Sequence, residues 1–217
     1  MICANMETEE IVRILKEHYQ TEALPAEHAT RKDPFITLIS CILSLRTKDE
    51  VTVKATKRLF GLAKTPDQML RRKRDEIETA IYPVGFYRRK TQQILDLCRV
   101  LVERYDSHVP DSLEELLKLK GVGRKTANIV ITMAYNKAGI AVDTHVHRIS
   151  NRIGLVATKN PDQTEFALRE ILPERYWIIF NALLVKHGKA ICTPISPKCS
   201  ICPVSERCNR VGVTRSR

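Results

Sequence analysis

Several things are scarce in this chain of 217 residues. Aromatic residues make up 6% of it, with one tryptophan, which argues against a surface built mainly on rings that stack against bases. No run of about 18 apolar residues occurs, so the usual signature of a membrane-spanning helix is missing. Nowhere do apolar and polar residues alternate for long, and the strand–helix–strand rhythm of a parallel sheet is absent. Met1 to Glu10 turns acidic where a secretory signal would carry a basic and then an apolar stretch. Acid is in deficit overall: 25 Asp and Glu stand against 36 Lys and Arg, giving a net charge of +11 and a pI near 9.4. That excess fits a polyanionic partner.

What is present is an ordinary globular composition, 43% hydrophobic, in a chain long enough for one large domain or two small ones with real cores. A soluble intracellular protein follows as the expectation, cytoplasmic or nucleoid-associated, or nuclear in a eukaryote. Ile11, Val12, Ile14, Leu15 and Tyr19 mark an amphipathic helix over 6–19, followed by a polar loop over 20–33 that contains Pro25. Asp33-Pro34 is a helix start with proline at its first position. Phe35 to Leu45 is apolar nearly all round, a central helix broken at Arg46-Thr47-Lys48-Asp49. The next helix is expected to stop at Gly61. A Pro/Gly turn over Tyr82–Tyr87 and the basic run Arg88-Arg89-Lys90 precede a helix through Ile94, Leu97 and Leu101. Asp143-Thr144 has the form of a helix N-terminus with Asp143 as its cap. A mostly apolar helix from Tyr176 ends near His187-Gly188. The pattern predicts an all-α protein of roughly ten helices.

Two stretches stand out. In Leu119-Lys120-Gly121-Val122-Gly123-Arg124-Lys125-Thr126, a tight Gly-Val-Gly turn joins two helical patterns. Ser112 and Glu115 fit a capping box for the first of them. A turn of this kind leaves backbone N–H groups of the second helix exposed, where they and the helix dipole favour an anion such as phosphate. Lys120, Arg124 and Lys125 add cations at the same end.

The second stretch is the tail, 188–217, rich in Cys, Pro and Ser and without periodicity. Of seven cysteines, four crowd into 17 residues as Cys192-x6-Cys199-x2-Cys202-x5-Cys208. That distribution argues for a metal-ligand set, not a disulfide framework. Spacing leaves zinc and iron–sulfur both open. The single close pair and the compact loop favour a [4Fe–4S] cluster, whose ligation would fold the tail in place of a missing core.

Together, the hairpin, Val142-Asp143-Thr144-His145-Val146 and the four cysteines resemble the endonuclease III family, helix-hairpin-helix base-excision DNA glycosylases with a Gly/Pro-rich loop and a downstream aspartate. The resemblance covers roughly residues 7–210. It implies two α-helical domains: a six-helix barrel with the hairpin over 27–137, and a discontinuous domain from 1–26 and 138–217 with the cluster loop at 188–210. It implies a [4Fe–4S] cluster on Cys192, Cys199, Cys202 and Cys208. It also implies removal of oxidised pyrimidines by Schiff-base chemistry, with cutting 3′ to the abasic site by β-elimination. The partner would be double-stranded DNA carrying a damaged base or abasic site, met by a monomer that binds no membrane.

By position, Lys125 matches the family's catalytic lysine, and Asp143, eighteen residues later, its catalytic aspartate. Basic neighbours and partial burial would favour the neutral amine of Lys125 over the ammonium. Gly121, Val122, Gly123 and Arg124 match the phosphate-holding hairpin, and His145 follows the aspartate as a DNA contact.

Three further positions depart from the family pattern or admit a second reading. Lys120 stands where the family's hairpin usually has proline. Arg46 stands where it commonly has the glutamine that fills the gap left by a flipped nucleotide. Phe86 matches the family's wedge residue but is equally readable as core. Alternatives are a mismatch-specific uracil/thymine or adenine glycosylase of the same superfamily and, from another class, a non-catalytic iron–sulfur DNA-binding protein.

Overall fold

The computed structural model describes residues 2–20 and 33–217, with side chains from Glu7 onward. The loop read over 20–33 therefore lies almost wholly outside the described residues. Every regular element among the described residues is helical, and no helix there is long and apolar enough to cross a membrane. The chain divides into two compact units, one of Thr30–Lys137 and one of Met1–Ala29 with Ala138–Arg217.

The Thr30–Lys137 unit contains α2 (Pro34–Ser44), α3 (Asp49–Leu62), α4 (Pro66–Leu70), α5 (Arg74–Ile81), α6 (Tyr87–Tyr105), α7 (Leu113–Lys118) and α8 (Arg124–Tyr135). Asp33 caps α2 by accepting from Ile36 N–H at 2.8 Å, and Pro34 follows it, a start worth about 1 kcal/mol. Because α2 is apolar on almost every side, it is packed on several: α3, α6 and α8 surround it. Leu38, Ile39, Ile42 and Leu43 are no more than 1% exposed and join Leu59, Ile77, Ile94, Leu101, Leu116 and Val130 in one core. Two sequence expectations need correcting. α3 runs through Gly61 and ends at Leu62. Ser112 does cap α7 through Glu115 N–H (3.2 Å), but the Glu115 carboxylate turns to Tyr105 and Lys118, so the capping box is half made.

The second unit holds α1 (Ile2–His18), α9 (Thr144–Ile153), α10 (Pro161–Ile171) and α11 (Trp177–Ala190). Ile11, Val12 and Leu15 pack with Val146, Ile149, Leu168, Phe180, Leu183 and Leu184. α11 passes through the expected stop at Gly188. A Cβ there would stand 2.3 Å from His145 Nδ1, so glycine is what lets α11 lie this close to α9. After α11 only two single-turn helices remain, Cys199–Ile201 and Ser205–Arg207. The tail is tied back by backbone bonds: Asn209 N–H to Ile153 O and Val211 N–H to Arg152 O, both 2.9 Å.

Candidate active site and metal centre

The hairpin begins where α7 runs out. Leu119 and Val122 are driven into the core at 2% and 6% exposure, and Val122 N–H donates to Leu119 O at 3.0 Å to close the turn. Lys120, Gly121, Gly123 and Lys125 face outward beside these anchors. Gly121 has a φ of +82°, and a Cβ on it would stand 2.3 Å from Gln93 Nε2, whose amide donates to the Gly121 carbonyl. Gly123 is the N-cap of α8 and has no side chain to cap with; where its Cβ would stand there is open space. The start of α8 thus offers N–H groups and the positive end of its dipole to an anion. Arg124 and Lys125 fill its first two positions. The partial burial expected of Lys125 is not found: the side chain is exposed.

Arg46 and Phe86 lie in the same unit on two adjacent loops. Both have left-handed backbones, with φ of 52° and 59°. Phe86 is 61% exposed, which removes the core alternative for it. The Arg46 guanidinium lies 5.7 Å from the Phe86 ring centroid, within cation–π range.

In the other unit, Asp143 caps α9. Its Oδ1 accepts from His145 N–H at 2.8 Å and from Val146 N–H at 2.9 Å. The carboxylate is half-buried. Arg148 Nη2 reaches His145 Nδ1 at 3.2 Å and the Cys192 carbonyl at 2.9 Å. A guanidinium only donates, so Nδ1 of His145 accepts, and the proton of the neutral ring belongs on Nε2.

Cys192, Cys199, Cys202 and Cys208 line one pocket, together with Arg152, His187 and apolar side chains including Ile153 and Val204. None of the four is in a disulfide. Arg152 donates to Cys192 Sγ at 3.4 Å and to the carbonyls of Thr193 and Pro194. Burial, with the neighbouring cysteines adding to it, pushes the Cys202 thiol up to about 11. Four sulfurs around one pocket, with the Cys202 and Cys208 thiols raised by burial, fit an iron–sulfur group, whose irons would take them as thiolates. His187, buried, lies 3.6 Å from Cys202 Sγ through Nε2 and 3.0 Å from Tyr19 Oη through Nδ1.

Four polar side chains that the motifs do not name thus hold the sites: Arg148, Arg152 and His187 around the cysteines, and Lys90 beneath the Arg46 and Phe86 loops. Two of them leave a trace in the sequence: Lys90 by its helical spacing from Ile94, Leu97 and Leu101, and His187 by its spacing from Phe180, Leu183 and Leu184.

Comparison with known proteins agrees with this anatomy. The model of the HhH-GPD superfamily of base excision DNA repair proteins matches residues 39–174. That of the iron–sulfur binding domain of endonuclease III matches residues 192–208. Endonuclease III of Thermotoga maritima is 50% identical over 176 residues, which is 81% of this chain and 83% of the relative. A solved non-covalent endonuclease III–DNA complex superposes with a TM-score of 0.84 at 33% identity, covering 95% of each chain. A trapped endonuclease III–DNA covalent intermediate gives 0.81 at 35% identity, over 94% of this chain and 96% of that one.

Proposed function

The chain belongs to the endonuclease III family of the HhH-GPD superfamily, and we propose a division of labour among its residues for the DNA glycosylase and lyase activity of that family. It is a DNA glycosylase/lyase that binds DNA and carries a [4Fe–4S] cluster. The substrate is a duplex with an oxidised pyrimidine or an abasic site, met by a monomer.

The hairpin binds first. Gly121, Val122 and Gly123 bring backbone N–H groups up to a phosphate, while Lys120 and Arg124 supply charge. The damaged nucleotide leaves the stack, Arg46 fills the space it vacates, and Phe86 wedges the neighbouring step. The exposed Lys125 side chain loses water when DNA covers the hairpin. Its amine attacks C1′, the glycosidic bond breaks, and the base departs with the bonding electrons and a proton. The sugar ring opens to a Schiff base on Nζ. Loss of a C2′ proton then expels the 3′ phosphate and cuts the strand. Asp143 keeps Oδ1 on its own helix cap and turns Oδ2 to the cationic sugar or to the proton leaving the amine. His145, with its proton on Nε2, donates to a DNA phosphate. Cys192, Cys199, Cys202 and Cys208 hold the cluster, whose ligation folds the tail.

The observation that carries this reading is the exposed Lys125 amine on a helix start with no side-chain cap. Borohydride trapping on abasic-site DNA tests it. The wild type forms a covalent adduct and Lys125→Gln does not. An adduct that survives Lys125→Gln, or its absence from the wild type, removes the lyase assignment. Base release without trapping points to a monofunctional glycosylase, and neither activity to a binding protein.

A further inference from the structure

Lys90 has no part in the chemistry above, yet it is one of the few buried charges in its unit, 6% exposed. It sits in the first turns of α6, where its backbone N–H donates to Phe86 O at 3.0 Å. Its side chain runs to the opposite loop. Nζ donates to Leu43 O at 2.8 Å, Leu45 O at 2.5 Å and Thr47 Oγ1 at 3.2 Å. Leu43 and Leu45 carbonyls form the C-terminal end of α2, the negative end of its dipole. Thr47 Oγ1 in turn accepts from Gly85 N–H at 3.1 Å. The loops touch directly as well: a Cβ on Gly85 would stand 2.6 Å from the Arg46 carbonyl oxygen. One ammonium therefore ties the helix end that launches Arg46 to the helix start that launches Phe86.

Burial pulls the Lys90 amine down from 10.5 to about 8, the mark of a charge held at a cost near neutral pH. What the ammonium supplies is direction: three acceptors on one loop reached from one point on the other. We propose that Lys90 is a positioning residue that locks the Arg46 and Phe86 loops into a single preformed DNA-reading element, with Thr47 as its second link. The inference rests on the reading of Arg46 and Phe86 as DNA contacts. Arg46 lies against the Phe86 ring, so the gap-filling and wedging groups enter the duplex together. Misplacement by about 1 Å is enough to lose much of such an effect.

The test uses a duplex with a tetrahydrofuran abasic analogue opposite 2-aminopurine, whose fluorescence reports a group inserted beside the orphaned base. Lys90→Met keeps the side chain's length and removes its donors. It is expected to cut the fluorescence response to less than about a third of wild type. Strand cleavage at a natural abasic site, which depends on Lys125, stays within about threefold, and the melting temperature shifts by less than about 5 °C. Thr47→Val gives the same split, more weakly, and covers the case in which Lys90→Met fails to fold. Parallel loss of response, cleavage and melting temperature in both variants makes Lys90 merely structural and overturns the proposal. An unchanged response does so too. Arg46→Ala and Phe86→Ala separate the two readings. If they abolish the response while Lys90→Met leaves it intact, only the Lys90 inference fails. If they leave it intact, the DNA-contact reading fails and takes this inference with it.

Discussion

In the Thr30–Lys137 unit, α8 starts after Gly123, which has no side chain to cap it. In the other unit, α9 starts after Asp143, whose carboxylate accepts from two of the first N–H groups. The same element is thus presented with opposite sign: one helix start is open to a phosphate, the other already carries its own anion. The units differ just as much in what holds them. The first is one apolar core running from Phe35 to Ile131, and its working groups stand on helix ends that this core fixes. The second has a smaller apolar core, and its tail hangs on Arg152, on backbone bonds and on four cysteines around a cavity. Burial fixes the unit that carries Lys125; in the unit that carries Asp143, four cysteines around a pocket add to it.

The difference can be broken from the largest effect down. Lys125→Gln keeps the hairpin backbone in place and removes the proposed nucleophile, so abasic-site cleavage should fall by at least about a thousandfold while DNA binding changes little. Cys199→Ala removes one of the four proposed cluster ligands. It should destabilise the tail by several kcal/mol, roughly what a structural metal site contributes. Limited proteolysis should then cut within 192–217 while peptides of Thr30–Lys137 stay protected; equal loss of protection in both units would erase the contrast. Asp143→Asn keeps the cap and deletes the charge, so melting should barely move while excision falls about a hundredfold. Asp143→Ala should lose about 1 kcal/mol of stability as well. Gly123→Asp would give α8 the kind of cap α9 has. The site has room for it, so the fold should hold, and DNA affinity should weaken about tenfold. Unchanged affinity would mean that the open helix end is not where the phosphate goes.

How much of this was legible depended on whether one physical cause governed a position. Asp33-Pro34 and Asp143 read correctly as helix starts because a cap is a local device. The four cysteines point to a cluster because so many thiols in a short polar loop have few other uses, and the structure gathers them around one pocket. Gly61 and Gly188 were misread as stops. Gly61 is exposed in a helix that tolerates it, and α3 ends only where Ala63 turns extended, with φ of −153°. Gly188 is required by the close approach of His145 from α9, a contact no local pattern records. Ser112-x-x-Glu115 promised a full capping box, but a tertiary partner, Tyr105, took the glutamate. Arg148, Arg152 and His187 meet the cysteine loop from other helices and could not be placed without the fold. Lys90 belongs to the basic run Arg88-Arg89-Lys90, and its spacing from Ile94, Leu97 and Leu101 is the one sign of the buried face it shares with them.

Lys90 also gives the comparison its finest test, since it is a buried polar device inside the unit that burial otherwise holds. In the unfolded chain its amine keeps a proton up to about 10.5, whereas the folded chain releases it near 8. Between those values the unfolded state binds more protons, so the contribution of Lys90 to stability rises with pH across that window and is least favourable below it. Lys90→Met has no such proton. The stability difference between wild type and Lys90→Met, measured by urea unfolding, should therefore shift in favour of the wild type by about 1–2 kcal/mol from pH 7.5 to pH 10. The fluorescence response at the abasic analogue should move the other way. Above pH 8 the neutral amine keeps two donors for three acceptors, so the loops loosen as the fold gains. Opposite trends in stability and in DNA reading would separate a residue kept for position from one kept for packing. A stability difference that stays flat across the window would show that the ammonium costs the fold nothing, and Lys90 would then belong with the apolar residues around it.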